Sequence, residues 1–275
     1  MQSENIVVMP WRIEDIDLSR IDQRAAAADE DLMLLLCASS FIESGSDLYT
    51  SNLSTYFSDD PEISGWLNEH WEHEELQHGR ALRAYIEHVW TDFDWDLAFK
   101  RFFEEYSKTC SIEGFEKSRA LEMVARCVVE TGTATLYRAI SELSQEPVLK
   151  ELTSLIRADE VRHYKHFFRY FRKYNEREGH GRIAVLGALA RRVVEIKSED
   201  SEIALRHAFA IRYPDRADDK AYLKEKCARV NALVRRNLSA DMCVKMLLKP
   251  LDIPPRISPS VHYPLAKITQ HVFFR

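Results

Sequence analysis

The 275-residue sequence predicts an all-α protein built around a four-helix bundle. Three observations lead there: few helix breakers, apolar residues at three and four residue intervals, and two Glu-x-x-His pairs in separate helical stretches. Only 8 Gly and 9 Pro stand against 26 Glu, a composition that suits helices rather than turn-rich sheets or glycine-looped nucleotide folds. With 45% hydrophobic and 30% charged residues, the chain has enough apolar material for a substantial core and is not disordered.

The elements follow in order. Residues 1–24 read as an extended segment, residues 25–178 as the bundle, 179–249 as additional helices packed on it, and 250–275 as an extended, proline-containing tail. Within the bundle the periodicity predicts helices over 25–56, 61–90, 115–143 and 147–175. A short helix at 97–106 lies in the long crossover between the second and third. Further helices are predicted at 183–196, 201–211 and 219–237. Two starts share a chemistry: Asp60-Pro61 and Glu146-Pro147 each put an acid before a proline, which suits the first turn and positive end of a helix.

Composition also excludes functions. A formal charge of -6 removes the general attraction that nucleic acid requires. Five scattered cysteines without a C-x-x-C pair point to free thiols rather than a disulfide framework or zinc knuckle. The N-terminal residues lack a secretory pattern, and the conspicuous apolar run Ile183 to Ala190 is too short to span a bilayer, so the expectation is a cytoplasmic protein without a membrane span.

The chemistry is concentrated in two stretches. Glu75 and His78 in one helix, and Glu160 and His163 in another, each place a carboxylate and an imidazole one turn apart on one face, where both reach the same metal ion. With 26 Glu and 10 His in the chain, about one such pair arises by chance, but two copies, each preceded by an acid (Glu74, Asp159), are not expected.

In a helical hairpin the partner helix supplies a carboxylate at the same height when the turn lies midway between the two. Glu43 and Glu75 have their midpoint at residue 59, beside Asp60-Pro61; Glu130 and Glu160 have theirs at 145, beside Glu146-Pro147. Glu43 to Glu130 is 87 residues, and both Glu75 to Glu160 and His78 to His163 are 85, so the hairpins repeat. Four carboxylates are neutralised by two divalent cations, and a mixed oxygen and imidazole set suits iron or manganese better than thiolate-bound zinc. The preceding acids have a supporting use: Asp159 would bond the free ring nitrogen of His78, and Glu74 that of His163, holding each ring in place.

WEHEELQHG and ADEVRH, with Glu43 in FIESGSDLY and Glu130 in ETGT, resemble the soluble acyl-carrier-protein desaturases of the ferritin-like superfamily over roughly residues 25–170. The resemblance implies that Glu43, Glu75, His78, Glu130, Glu160 and His163 bind two irons, Glu75 and Glu160 bridging them. It also implies that Thr133 assists at bound oxygen or in proton delivery, and that Trp11 lies on an electron route to the irons. For Thr133 a bond to its own helix is the competing reading, and for Trp11 ordinary packing.

An arylamine oxygenase would add a histidine four residues before Glu160, where this chain has Ile156. His73 and His166 read as surface or supporting histidines; Tyr85, Tyr137, Phe167 and Tyr170 read as core.

The expected activity is O2-dependent oxidation of an acyl chain by desaturation or hydroxylation. It requires an external electron donor such as a ferredoxin, and an acyl carrier protein is the candidate bearer of the substrate. Arg191-Arg192, Arg235-Arg236, Lys245 and Lys249 are basic groups that could meet such a carrier or be merely solvated. A homodimer is expected from the resemblance. The competing readings are a ferroxidase or iron-storage protein, a di-iron oxygenase of a small amine or acid, and a metal-free scaffold.

Overall fold

A computed structural model describes residues 9–195 and 199–273. Among them the fold is all-α, without a strand, of the ferritin-like class that the sequence predicts. The helices are α1 (Gln23–Ala26), α2 (Glu30–Ser44), α3 (Ser46–Tyr56), α4 (Pro61–Trp66), α5 (Glu72–Val89), α6 (Trp95–Tyr106) and α7 (Arg119–Leu143). They continue with α8 (Pro147–Glu178), α9 (Arg182–Glu195), α10 (Glu199–Arg212), α11 (Lys220–Asn237), α12 (Ala240–Leu248) and α13 (Ser258–Ile268). The chain divides into two compact units, one running to Glu113 and including Asp200–Lys226, the other comprising Gly114–Glu199 and Cys227 onward.

In the first unit α2 packs on α5. The predicted helix over 25–56 is broken twice, at residues 27–29, where Asp29 caps α2 by accepting from the Leu32 N–H, and at Gly45, where a side chain would come 3.2 Å from the Tyr106 ring. The second predicted helix starts at Pro61 with Asp60 accepting from the Glu62 N–H, and passes through a π-helical turn, Leu67–Trp71, just before the Glu75/His78 pair. Gly79, immediately after His78, lies at a close approach of α2 to α5. A Cβ there would sit 2.7 Å from the Ser44 backbone nitrogen, so only glycine fits. Ser40 Oγ donates to the Gly79 carbonyl at 2.9 Å and accepts from Trp95 Nε1 at 3.2 Å, tying α2, α5 and α6 together at this level.

Helix α10 is fastened to the same unit by charge. Arg206 and His207 hold Glu105 of α6, and Arg212 grips both Glu30 (2.6 Å) and Asp92 (2.8 Å).

In the second unit α7 and α8 form the main hairpin, with α9 and α12 packed on α7. Ser118 caps α7 by accepting from the Leu121 N–H, so that helix begins four residues later than its periodicity suggests. Glu146 accepts from the Val148 and Leu149 N–H groups at the start of α8, which ends at Gly179 in the left-handed region (φ 68°). Tyr164 donates to the Met246 carbonyl at 2.6 Å, tying α8 to α12.

The segment from Pro250 differs from its expected extended form: α13 occupies Ser258–Ile268. Pro259 falls in the first turn, where the missing N–H has no intrahelical partner to lose, so the proline that suggested a tail starts a helix instead. The expected N-terminal segment is extended only in part, since Ile13–Asp15 and Leu18–Arg20 form 3-10 turns; residues 1–8 lie outside the described residues.

The five cysteines are free, Cys37 and Cys127 being buried. No helix of the described residues is long and apolar enough to cross a membrane.

Candidate metal centre

Each hairpin carries one buried triad. On the first, Glu43 comes from α2 and Glu75 and His78 from α5; each offers a ligand atom, all within 4.8 Å of one another. Their relative exposures are 5%, 6% and 0%, far below what ionisable groups show without a compensating partner. His78 Nδ1 lies 3.9 Å from Glu43 Oε2. Helix spacing brings Glu75 and His78 to one face, and the tight Gly79–Ser44 approach brings Glu43 opposite them.

Trp11 stacks on the His78 ring, centroids 6.2 Å apart and planes 4° from parallel. Its carbonyl accepts from Gln77 Nε2 at 3.0 Å, so the residue beside His78 fastens the N-terminal segment against α5. Trp11 is itself buried. Glu74 is half-buried on the neighbouring face of α5.

On the second hairpin, Glu130 of α7 meets Glu160 and His163 of α8, again with ligand atoms within 4.8 Å of one another. His163 Nδ1 is 3.6 Å from Glu130 Oε2 and 3.9 Å from Glu160 Oε2. Burial pushes Glu130 above the usual carboxylate range. The hydrogen bond from His163 opposes this and the charge of Glu160 adds to it. A cation among these groups would hold the carboxylates ionised and offset their desolvation.

Thr133 Oγ1 donates to Glu160 Oε2 at 2.6 Å, and its approaches to the Val129 and Glu130 carbonyls are longer, 3.4 and 3.3 Å. The hydroxyl therefore serves the carboxylate more than its own helix. Asp159 is fully buried and pairs with Arg162 one turn on, a partner that the sequence reading did not assign.

Of the weaker candidates, His73 is exposed and His166 half-buried, while Ile156, Tyr85, Tyr137, Phe167 and Tyr170 are core. Arg191 pairs with Glu116, and Arg192 with Glu195 and Glu122, so these two basic groups are engaged within the chain.

One further feature escaped the sequence reading. Glu122 and Arg126, two turns and one turn before Glu130 on the same stripe of α7, form a buried ion pair at 2.9 Å. Their four-residue spacing was visible, but nothing in it distinguished a buried pair from a solvated one.

The donor set fits a metal. Two carboxylates and one imidazole per hairpin, buried and convergent, match the oxygen and nitrogen preference of divalent iron or manganese.

The family model described as fatty acid desaturase matches residues 10–199, over half of the chain and all of both triads. The chain belongs to the fatty acid desaturase family. As a member of that family it is an oxidoreductase, and its buried Glu/His triads are compatible with a metal site. No curated protein was found to match the chain.

Proposed function

We propose that this protein is an O2-dependent di-iron oxidase that desaturates or hydroxylates an acyl chain, its two triads acting as halves of one centre. The reading is supported chiefly by the pairing of a buried Glu/Glu/His triad on each of two hairpins with membership of the desaturase family. Glu43, Glu75, His78, Glu130, Glu160 and His163 would hold two irons, with manganese the alternative, and Glu75 and Glu160 are the carboxylates that both ions would share. Iron, when bound, would supply the redox chemistry: with two external electrons and two protons, O2 becomes two waters when two hydrogens leave the acyl chain as in desaturation, or one water when its other oxygen atom enters a C–H bond as in hydroxylation.

The chain's own residues bind, orient and deliver. Thr133 holds the Oε2 end of Glu160, fixing the orientation of that carboxylate and keeping a hydroxyl proton beside it. Asp159 and Glu74 support the ring nitrogens of His78 and His163. Trp11, stacked on His78, is the entry point for electrons from an external donor such as a ferredoxin. An acyl carrier protein presents the substrate, and the working form is a cytoplasmic homodimer.

The test is reconstitution with ferrous iron under anaerobic conditions, followed by O2, a chemical or ferredoxin reductant and a saturated acyl thioester. An alkene or hydroxyacyl product with about two irons per chain is the expected result. Failure to bind iron in stoichiometric amounts would sink the proposal. A cage of many subunits that oxidises and stores iron without a substrate product would replace it with the storage reading.

A further inference from the structure

We infer that the cavity at the α8–α9 corner is a binding site for a phosphorylated organic anion of nucleotide size. The inference stands on the second unit alone and does not depend on the desaturase reading. The cavity measures about 400 Å³, within the range of small-molecule pockets. It is formed by the end of α8, the start of α9 and the turn Lys249–Asp252.

Its lining has three chemistries. Arg172, Arg182 and Lys249 are cationic, Phe168 and Phe171 are aromatic, and Glu176 and Asp252 are acidic. Three cations against two acids leave a positive excess. The first turn of α9, a 14-residue helix, adds its positive end at Gly181 and Arg182. A phosphate suits the guanidinium groups, which bind oxyanions two bonds at a time. Phe168, stacked on Tyr164 and beneath Lys249, and the buried Phe171 give the organic part an apolar wall, and the carboxylates can accept from sugar hydroxyls.

The walls are built before any ligand arrives. Arg182 Nε donates to the Leu251 carbonyl at 2.9 Å and Nη2 to the Asp252 carbonyl at 2.7 Å, which leaves further N–H donors of the same fork for an anion. Asp252 is the one non-glycine residue with positive φ (45°) among the described residues, a conformation that is costly and tends to persist at functional positions. That backbone turn aims the carbonyl which anchors Arg182. Lys249 Nζ lies 5.3 Å from the Phe168 ring centre, so its charge is held against the aromatic wall. Asn175 bonds the His180 backbone through both its side-chain nitrogen and its oxygen, fixing the corner between α8 and α9. The His180 ring turns to Ser118 and Glu178.

None of the triad residues lines the cavity: Phe168, the lining residue nearest His163 along α8, is five residues past it, about 7.5 Å along the helix.

Isothermal titration of the full chain at low salt tests the inference, with adenosine 5′-monophosphate, adenosine and inorganic phosphate as separate probes. Saturable binding of the monophosphate is expected, at least tenfold weaker for phosphate and undetectable for adenosine. The double variant Arg172→Gln, Lys249→Gln should weaken it at least tenfold with the helical signal unchanged; Lys249 ends α12 through its backbone N–H to the Met246 carbonyl, which the substitution keeps. Absence of saturable monophosphate binding at millimolar concentration, undiminished binding in the variant, or equal binding of adenosine would each overturn the site. Phosphate binding as tightly as the nucleotide would overturn its organic half.

Discussion

Thr133 Oγ1 and Glu160 Oε2 are joined by a 2.6 Å hydrogen bond across the α7–α8 hairpin. Removing the donor while keeping the branched shape isolates its contribution. Thr133→Val is expected to retain iron but to lower turnover severalfold and to destabilise the fold by about 1–3 kcal/mol, because a buried acceptor loses its donor. Thr133→Ser should restore both. Iron content, product yield and urea unfolding read the three effects separately.

Loss of a triad member should remove metal without removing helices. Glu160→Ala or His163→Ala is expected to abolish stoichiometric iron binding, while far-UV circular dichroism stays within a few percent of the parent chain. Iron analysis of the reconstituted variants decides it; unchanged iron content would contradict the ligand assignment. Chelation of the parent chain should lower its melting temperature, since a ligand that binds only the folded state stabilises it.

Trp11 lies parallel to His78 and is buried beside it. In Trp11→Leu we expect iron binding to survive and reduction by an external protein donor to slow by at least tenfold. Stopped-flow reduction gives the rate, and direct chemical reduction by a small dye serves as the control that should change far less.

Gly79 sits at a close approach of α2 to α5. Gly79→Ala puts a methyl against the Ser44 backbone, which truncation of the serine cannot relieve. The expected cost is about 1–3 kcal/mol by denaturant unfolding, typical of overpacking, together with weaker iron binding as Glu43 moves from Glu75 and His78.

Glu105 provides a pH signature. Its hydrogen bonds from Arg206 and then His207 pull its carboxyl from the ordinary 4.5 down to about 2. A depressed carboxylate contributes stability that is present above its unfolded value and is lost as pH falls through its folded one, here from about 4.5 to about 2. The group is solvent-accessible, so the contribution is at most about 1 kcal/mol. Glu105→Gln should be less stable than the parent chain at pH 7 and equal to it near pH 2, as followed by unfolding across that range.

Much of this arrangement was readable in the residues. The spacing of Glu75 with His78 and Glu160 with His163, and the midpoints at the two acid-proline turns, gave the grouping within each hairpin because helix rise is constant on both sides of a turn. Asp60 and Glu146 cap their helices as local chemistry dictates. Other features were not readable. Arg162 as the partner of Asp159, and the burial of Glu122 with Arg126, depend on which face of the helix is covered, and local spacing is the same for a covered and an open face.

By itself the sequence determined the all-α class, the two helix starts at Pro61 and Pro147 and the heights at which carboxylate and imidazole meet within each hairpin, since these follow from backbone periodicity and capping within a few turns. Tertiary structure alone decided the close contact that requires Gly79, the break at Gly45, the stacking of Trp11 on His78, and the meeting of residues 168–185 with 249–252 around a cavity. Those depend on groups brought together across tens of residues, where packing rather than local preference sets the distance.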